Sequence, residues 1–141
     1  MIIKQLSVFL ENKSGRLTEV TEVLGSQDIN ITAFSIADTA DFGILRMLVN
    51  NPDKAVKTLR DNGFTVSLTD VICVIVPHAP GALARALRIL SDAGVSIEYI
   101  YAFAIEGKAS VVIRTETPEK AIAALQEHKM ELLKASAIYE V

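Results

Sequence analysis

The sequence predicts an α+β protein built from two βαββαβ units in tandem, each a four-stranded antiparallel sheet with two helices on one face. Three observations predict it. A pattern recurs at a spacing of 66 residues without a gap. In both copies the apolar period changes between two and about 3.6 in the same order. The chain has 141 residues, 50% hydrophobic and 22% charged, which is enough for one ordinary domain or two very small ones.

The repeat is clearest at Asn51-Pro52-Asp53-Lys54-Ala55 and Thr117-Pro118-Glu119-Lys120-Ala121. The same spacing lays Ser14-Gly15-Arg16-Leu17 on Pro80-Gly81-Ala82-Leu83, Leu24 on Leu90, Ile31 on Ile97 and Leu59 on Leu125. The expected boundaries are 1–69 and 70–141. No glycine- or serine-rich linker lies between them, so rigid coupling is expected.

Leu6, Val8 and Leu10 alternate with other residues and predict the first strand. Ser14-Gly15 opens a helix with Leu17, Val20 and Leu24 on one face; the second copy uses Leu83, Ala86, Leu87 and Leu90. Ile29–Ala37 and Ile44–Val49 predict a strand pair joined by Asp38-Thr39-Ala40-Asp41. The second-copy pair is Val95–Ile105 and Ala109–Arg114, joined near Glu106-Gly107. The second helix begins at Asn51 or Thr117, residues able to cap the first turn. Pro52 and Pro118 follow, where a missing N–H is harmless. Asp53 and Glu119 complement the helix dipole. Asn62-Gly63 predicts a left-handed helix end.

The closing strand of the second copy is expected at 135–141, which aligns with 69–75. That earlier segment also has the pattern of the second copy's opening strand. Three solutions are open: a short separate closing strand at Phe64–Leu68, one long strand serving both copies, or strands exchanged between copies. The first is preferred.

The net charge is −3, and the two halves each balance, with seven basic and nine acidic groups in 1–70 and seven and eight in 71–141. A strong nucleic-acid backbone binder is therefore not expected. One cysteine, Cys73, excludes an internal disulfide and a multi-cysteine metal site. No apolar run reaches the roughly 20 residues of a membrane helix. Met1-Ile2-Ile3-Lys4-Gln5 has no signal-peptide pattern, so a cytoplasmic protein with no membrane partner is expected.

The strand–helix–strand–strand–helix–strand unit is the ferredoxin-like split fold, which hosts many functions. Leu6-Ser7-Val8-Phe9-Leu10-Glu11-Asn12-Lys13-Ser14-Gly15-Arg16-Leu17, followed by Asp28-Ile29-Asn30-Ile31, resembles the start of an ACT domain. Val74-Ile75-Val76-Pro77-His78-Ala79-Pro80-Gly81-Ala82-Leu83, followed by Ala93-Gly94-Val95-Ser96-Ile97, resembles the same element. The resemblance covers the whole chain as two ACT units. It implies a regulatory, allosteric protein that binds an amino acid, carries out no chemistry, needs no cofactor and associates as a homodimer. Through Leu-Ser-Val, Leu-Glu-Asn and Ser-Gly, the first copy also resembles the regulatory subunit of acetohydroxyacid synthase. That resemblance implies a partner enzyme as the alternative, although the plain second ACT copy favours a free-standing tandem protein.

The resemblance places the main ligand site at Glu11, Asn12, Lys13, Ser14, Gly15, Arg16 and Leu17, with Asn30 and Ile31. A weaker second site falls at His78, Pro80, Gly81, Ala82 and Leu83, with Ser96, Ile97 and Glu98. The chemistry suits an amino acid. Backbone amides at a helix N-terminus favour a carboxylate. Glycine tolerates unusual dihedrals and close backbone approach. The carboxamides of Asn12 and Asn30 can accept from an ammonium and donate to a carboxylate. Ser96 replaces the asparagine in the second copy. The tandem pair or a dimer is expected to complete the pocket.

Each of these residues also has a plainer role. Gly15 and Gly81 serve as turn glycines, Ser14 as a helix cap, Lys13 and Arg16 as solvated charges, Asn30 as a turn cap and His78 as a surface histidine. Cys73 reads as a small buried hydrophobe. Tyr99, Tyr101 and Phe103 share one strand face, with packing or a subunit contact expected and the lining of an inter-domain pocket as the alternative. Two isolated histidines, His78 and His128, do not make a zinc site. Acylphosphatases share this fold but need a glycine-rich loop carrying an arginine; here that loop has Lys13 and Arg16 without the repeated glycines, and no nucleophile–base pair emerges from spacing. RNA readers carry aromatic residues on the central strands, whereas Ile44–Leu48 and Ser110–Ile113 have none.

Overall fold

The computed structural model describes residues 1–38, 41–105 and 107–139. The expected turn residues Thr39, Ala40 and Glu106, and positions 140 and 141 of the expected last strand, lie outside the described residues. The chain divides into two compact units, one of Lys4–Thr69 with Ser136–Val141 and one of Met1–Ile3 with Asp70–Ala135. They are called here the first and second unit.

In the first unit, β1 (Ile3–Glu11) is followed by α1 (Arg16–Ser26), β2 (Ile31–Asp38), β3 (Phe42–Val49) and α2 (Pro52–Asp61). The chain then enters β4 (Thr65–Pro77). The sheet order is β2-β3-β1-β4. β3 pairs antiparallel with β1, Val8 opposite Leu45 and Leu10 opposite Gly43, and with β2, Ile36 opposite Leu45. Leu6, Val8 and Leu10 of β1 bury their side chains with Leu45 and Met47 of β3, Val20 and Leu24 of α1, and Ala55 and Leu59 of α2. Period two on the strands and period 3.6 on the helices meet in one core, which puts both helices on one sheet face.

In the second unit, the later part of β4 is followed by α3 (Ala82–Asp92), β5 (Tyr99–Ile105), β6 (Lys108–Arg114), α4 (Pro118–Glu127) and β7 (Glu131–Leu132). β5 pairs β6, β6 pairs β4, and β7 pairs β4 on its other side. The core repeats the first: Ile72, Val74 and Val76 with Val111 and Ile113, under Ala86, Leu90, Ala121 and Leu125.

Two expectations are corrected. The preferred separate closing strand at Phe64–Leu68 is the beginning of one thirteen-residue strand, β4, that continues to Pro77. The run from Thr65 to Val76 contains no glycine, proline or asparagine to break it and is rich in β-branched residues. The closing strand of the second copy is β7, not 135–141. Val74 faces Leu132, Ile75 faces Glu131, and the Leu133 N–H donates to the Cys73 carbonyl. Ala135–Tyr139 is a short helix, α5. Ala-Ser-Ala stands there where the first copy has Thr-Asp-Val, so β-branched residues give way to a helix former. Within the first unit, Ile138 is buried and the Tyr139 hydroxyl accepts from the Lys4 N–H at 3.0 Å.

The backbone confirms the 66-residue spacing independently of side-chain identity. Positive φ occurs at Gly15 and Gly81, at Asp28 and Gly94, and at Gly63 and Lys129. The helix caps differ between copies. Asn51 accepts from the Lys54 N–H through its side chain, whereas Thr117 makes no such bond. The Thr117 hydroxyl instead lies 3.5 Å from that of Thr115. We expect Asn51→Ala to lower stability by about 1 kcal/mol and Thr117→Ala by less than half as much. Urea unfolding of the two variants checks the difference.

Cys73 is buried at full depth, and desolvation pushes its thiol up to about 12, against a weaker lowering by a hydrogen bond to Ser110. The thiol stays protonated and inert, as its place in an apolar strand predicts.

Candidate functional site

The β1–α1 and β4–α3 loops are built by the same bonds. Asn12 N–H donates to the Asp41 carbonyl at 2.9 Å, and His78 N–H donates to that of Gly107 at 2.9 Å. Lys13 N–H donates to Glu11 and Ala79 N–H to Pro77, across one tight turn each. Gly15 (φ 91, ψ −14) and Gly81 (φ 87, ψ −14) then turn the chain into α1 and α3. A Cβ at either glycine would meet nothing within 4 Å, so glycine is needed for the dihedral and not for close approach. Gly15, not Ser14, occupies the helix N-cap, and no side chain caps there.

Each loop closes one end of a cavity. In the first unit Glu11, Asn12, Lys13, Arg16 and Leu17 meet Leu10, Ile36, Asp38 and Gly43 around about 100 Å³. In the second unit Val76, Pro77, His78, Ala79 and Leu83 meet Ala102, Phe103, Ala104, Ala109 and Val111 around about 340 Å³. The two linings correspond almost position for position at the 66-residue spacing. Hairpin pairing explains the meeting. Glu11 faces Phe42 across β1–β3, and Asp38 faces Gly43 across β2–β3, so the end of β1, the end of β2 and the start of β3 share one sheet end.

The first cavity has charged and polar side chains in its lining. The Asn12 carboxamide donates to Asp38 at 3.1 Å. Lys13 pairs with Glu11 at 2.8 Å, and that hydrogen bond, with the charge attraction it brings, holds the Glu11 carboxyl below its usual range. The pair is exposed, so it orients the loop more than it stabilises the fold. Arg16 pairs with Glu19 at 2.7 Å and lies 4.6 Å over the Phe64 ring. Its Nε is buried without a hydrogen-bond partner. A buried donor left open is energetically costly, and an anionic ligand would satisfy it. Arg16 and Glu11 also line a neighbouring cavity of about 350 Å³ with Phe9, Phe42, Gly63, Phe64 and Thr65.

The other expected site residues fall elsewhere. Ser14 and Gly15, and Pro80, Gly81 and Ala82, form the turns and helix starts without lining the two loop cavities. Asn30 and Ile31 precede and begin β2, while Asp38 ends it, seven residue steps or about 23 Å of strand away. There the Asn30 N–H donates to the Asn50 side chain, and Ile31 lines a separate cavity of about 120 Å³ with Leu17 and Phe34. Ser96 and Glu98 line a cavity of about 330 Å³ with Gly94, Thr115, Glu116 and Thr117, at the start of β5. Glu98 pairs with Arg114 at 3.2 Å, and Ile97 packs half-buried against the core. Sequence reasoning missed Ile36, Asp38 and Gly43 and their counterparts Ala102, Ala104 and Ala109. The signal for them was the repeat applied to the far end of the β2–β3 hairpin.

Two loops of one geometry, each at the mouth of a cavity on a βαββαβ unit, meet a family-level match. The model of the ACT domain pair family matches residues 1–141. The chain is an ACT domain pair. Protein BT0572 from Bacteroides thetaiotaomicron is 56% identical, with 100% of this chain and 98% of that one covered and a TM-score of 0.96. The regulatory subunit of aspartate kinase from Thermus thermophilus, in its ligand-free form, is 18% identical over 89% of this chain and 93% of that one, with a TM-score of 0.68. The corresponding Thermus flavus subunit is 18% identical over 89% and 92%, at a TM-score of 0.61. At that identity the two Thermus proteins share the fold. Among curated proteins no sequence matches.

ACT domains are regulatory rather than catalytic. Among the described residues no group of three or more His, Cys, Asp or Glu side chains could hold a metal ion, and no helix is long and apolar enough to cross a membrane.

Proposed function

We propose that this ACT domain pair is a non-catalytic amino-acid sensor that binds its ligand at the loop cavities. The observation that carries this reading is the pair of matching cavities, each at a helix N-terminus behind a glycine in the left-handed region. Free amides of the first helical turn suit a carboxylate, and the side chains around them are free to select the rest of the molecule. In the first unit the open Nε of Arg16 adds a charged donor.

The protein acts as a homodimer. Asn30 lies at the opposite end of β2 from Asp38, and its contact with the ligand of the loop cavity is assigned to a second copy of the chain. Ligand binding favours one arrangement of the assembly and signals by population shift. Asn30→Ala is expected to weaken binding by about 1 kcal/mol, the worth of one ordinary hydrogen bond. Titration calorimetry on a folded variant tests this, and unchanged affinity removes Asn30 from the site.

The Thermus proteins of this fold are regulatory subunits of aspartate kinase, which supports a partner-enzyme version of the same reading. Purification of the tagged chain from its own cells distinguishes the two: a co-purifying enzyme favours the subunit, a homodimer alone the free-standing sensor.

A further inference from the structure

The two loop cavities share a backbone and differ in chemistry. The first has four charged residues in its lining, Glu11, Lys13, Arg16 and Asp38. At the 66-residue spacing the second lining has Pro77, Ala79 and Ala104 in place of Glu11, Lys13 and Asp38, and Ala82, outside the lining, stands in place of Arg16. Every charge is gone. The wall also recedes, because Ala102 stands where the first unit has Ile36, and the cavity is about 340 Å³ against about 100 Å³.

We propose that the second unit's cavity takes an amino acid with a large apolar side chain, while the first is built for a smaller or polar one. This rests on the sensor reading above and names the ligand class of one of its sites. The backbone that would hold the ligand's carboxylate is the same in both units. Selectivity therefore falls to the walls. A charged side chain placed among Val76, Leu83, Ala102 and Val111 would lose part of its water and find no counter-charge in the lining. A branched or aromatic side chain would remove its own apolar surface and that of the exposed Leu83 from water. His78 is the one side chain in this lining able to hydrogen-bond. A single polar group among apolar walls orients a ligand without demanding a charge from it.

The test uses the intact chain and titration calorimetry with leucine, isoleucine, methionine, phenylalanine, serine, aspartate, glutamate and lysine as probes. Ala104→Asp restores the carboxylate that the first unit has at Asp38, and Ala102→Ile restores the bulk of Ile36. Both positions are exposed on β5, so the fold should tolerate either change, and an unfolding curve verifies it. The expected result is that an apolar probe binds and that each β5 variant weakens it at least tenfold, while Glu22→Ala, exposed on α1 and outside every cavity named above, leaves it within twofold. Binding of a charged or small polar probe that the β5 variants weaken would overturn the selectivity and leave the sensor reading standing. Apolar binding that neither β5 variant alters would overturn its placement in the second unit. If no probe binds the parent chain, the apolar selectivity is overturned, and the sensor reading is then decided by the remaining amino acids.

Discussion

Val74→Asp is expected to unfold the second unit. Val74 is wholly buried and lies in the middle of its sheet, opposite Val111 on β6 and opposite Leu132 on β7. Its side chain belongs to the apolar core beneath α3 and α4. A carboxylate there would have no counter-charge and no water. The loss should reach at least about 4 kcal/mol, in the range kept for unpaired buried charges. Small domains have only about 5–15 kcal/mol in total, so the variant should show early unfolding of this unit in urea. Amide exchange at Val111 and Ile113 reports it directly. Protection equal to that of the parent chain would mean that β4 is not the central strand of this unit.

The strand that makes Val74 central is also the part of the fold least legible in the sequence. The repeat, the helix starts at Asn51-Pro52 and Thr117-Pro118, and the loop glycines could all be read directly, because each depends on chemistry within a few residues. β4 could not. A run of β-branched residues announces a strand but not how many neighbours it will serve. The two-residue β7 carries too few positions to show a period of its own, and the 66-residue spacing points to 135–141 instead, where a helix replaces the strand.

The site divides in the same way. The loop 11–17 was legible from Gly15 and its flanking residues. Asp38, Ile36 and Gly43 join it only through strand pairing, and Asn30 is carried to the other end of β2 by the same pairing. Adjacent positions in a motif are not adjacent in space when a strand runs between them. The contrast in cavity chemistry was hidden for the same reason: Ala102 and Ala104 are unremarkable until pairing places them beside His78 and Leu83.

The second large effect is on binding. Arg16→Met should weaken the first unit's ligand by about 1.5–3 kcal/mol, the worth of a hydrogen bond to a charged group. Arg16 is positioned for this by its stacking over Phe64 and its pair with Glu19, which leave Nε open. Part of the stability will go too, since the stacking is worth about 0.5–1 kcal/mol at a partly exposed site. Arg16→Lys separates the roles. It keeps the charge and loses the planar fork, so affinity should recover in part. Calorimetry on Arg16→Met and Arg16→Lys, each shown to be folded, would refute the assignment if ligand affinity stays at the parent value.

The most direct test of amino-acid sensing is thermal unfolding of the intact chain against each of the twenty amino acids in turn. A ligand at 100 times its dissociation constant should add about 2.7 kcal/mol of stability. The account predicts a selective rise in melting temperature for one or a few related amino acids. No rise with any of the twenty would contradict it and leave both loop cavities without a ligand.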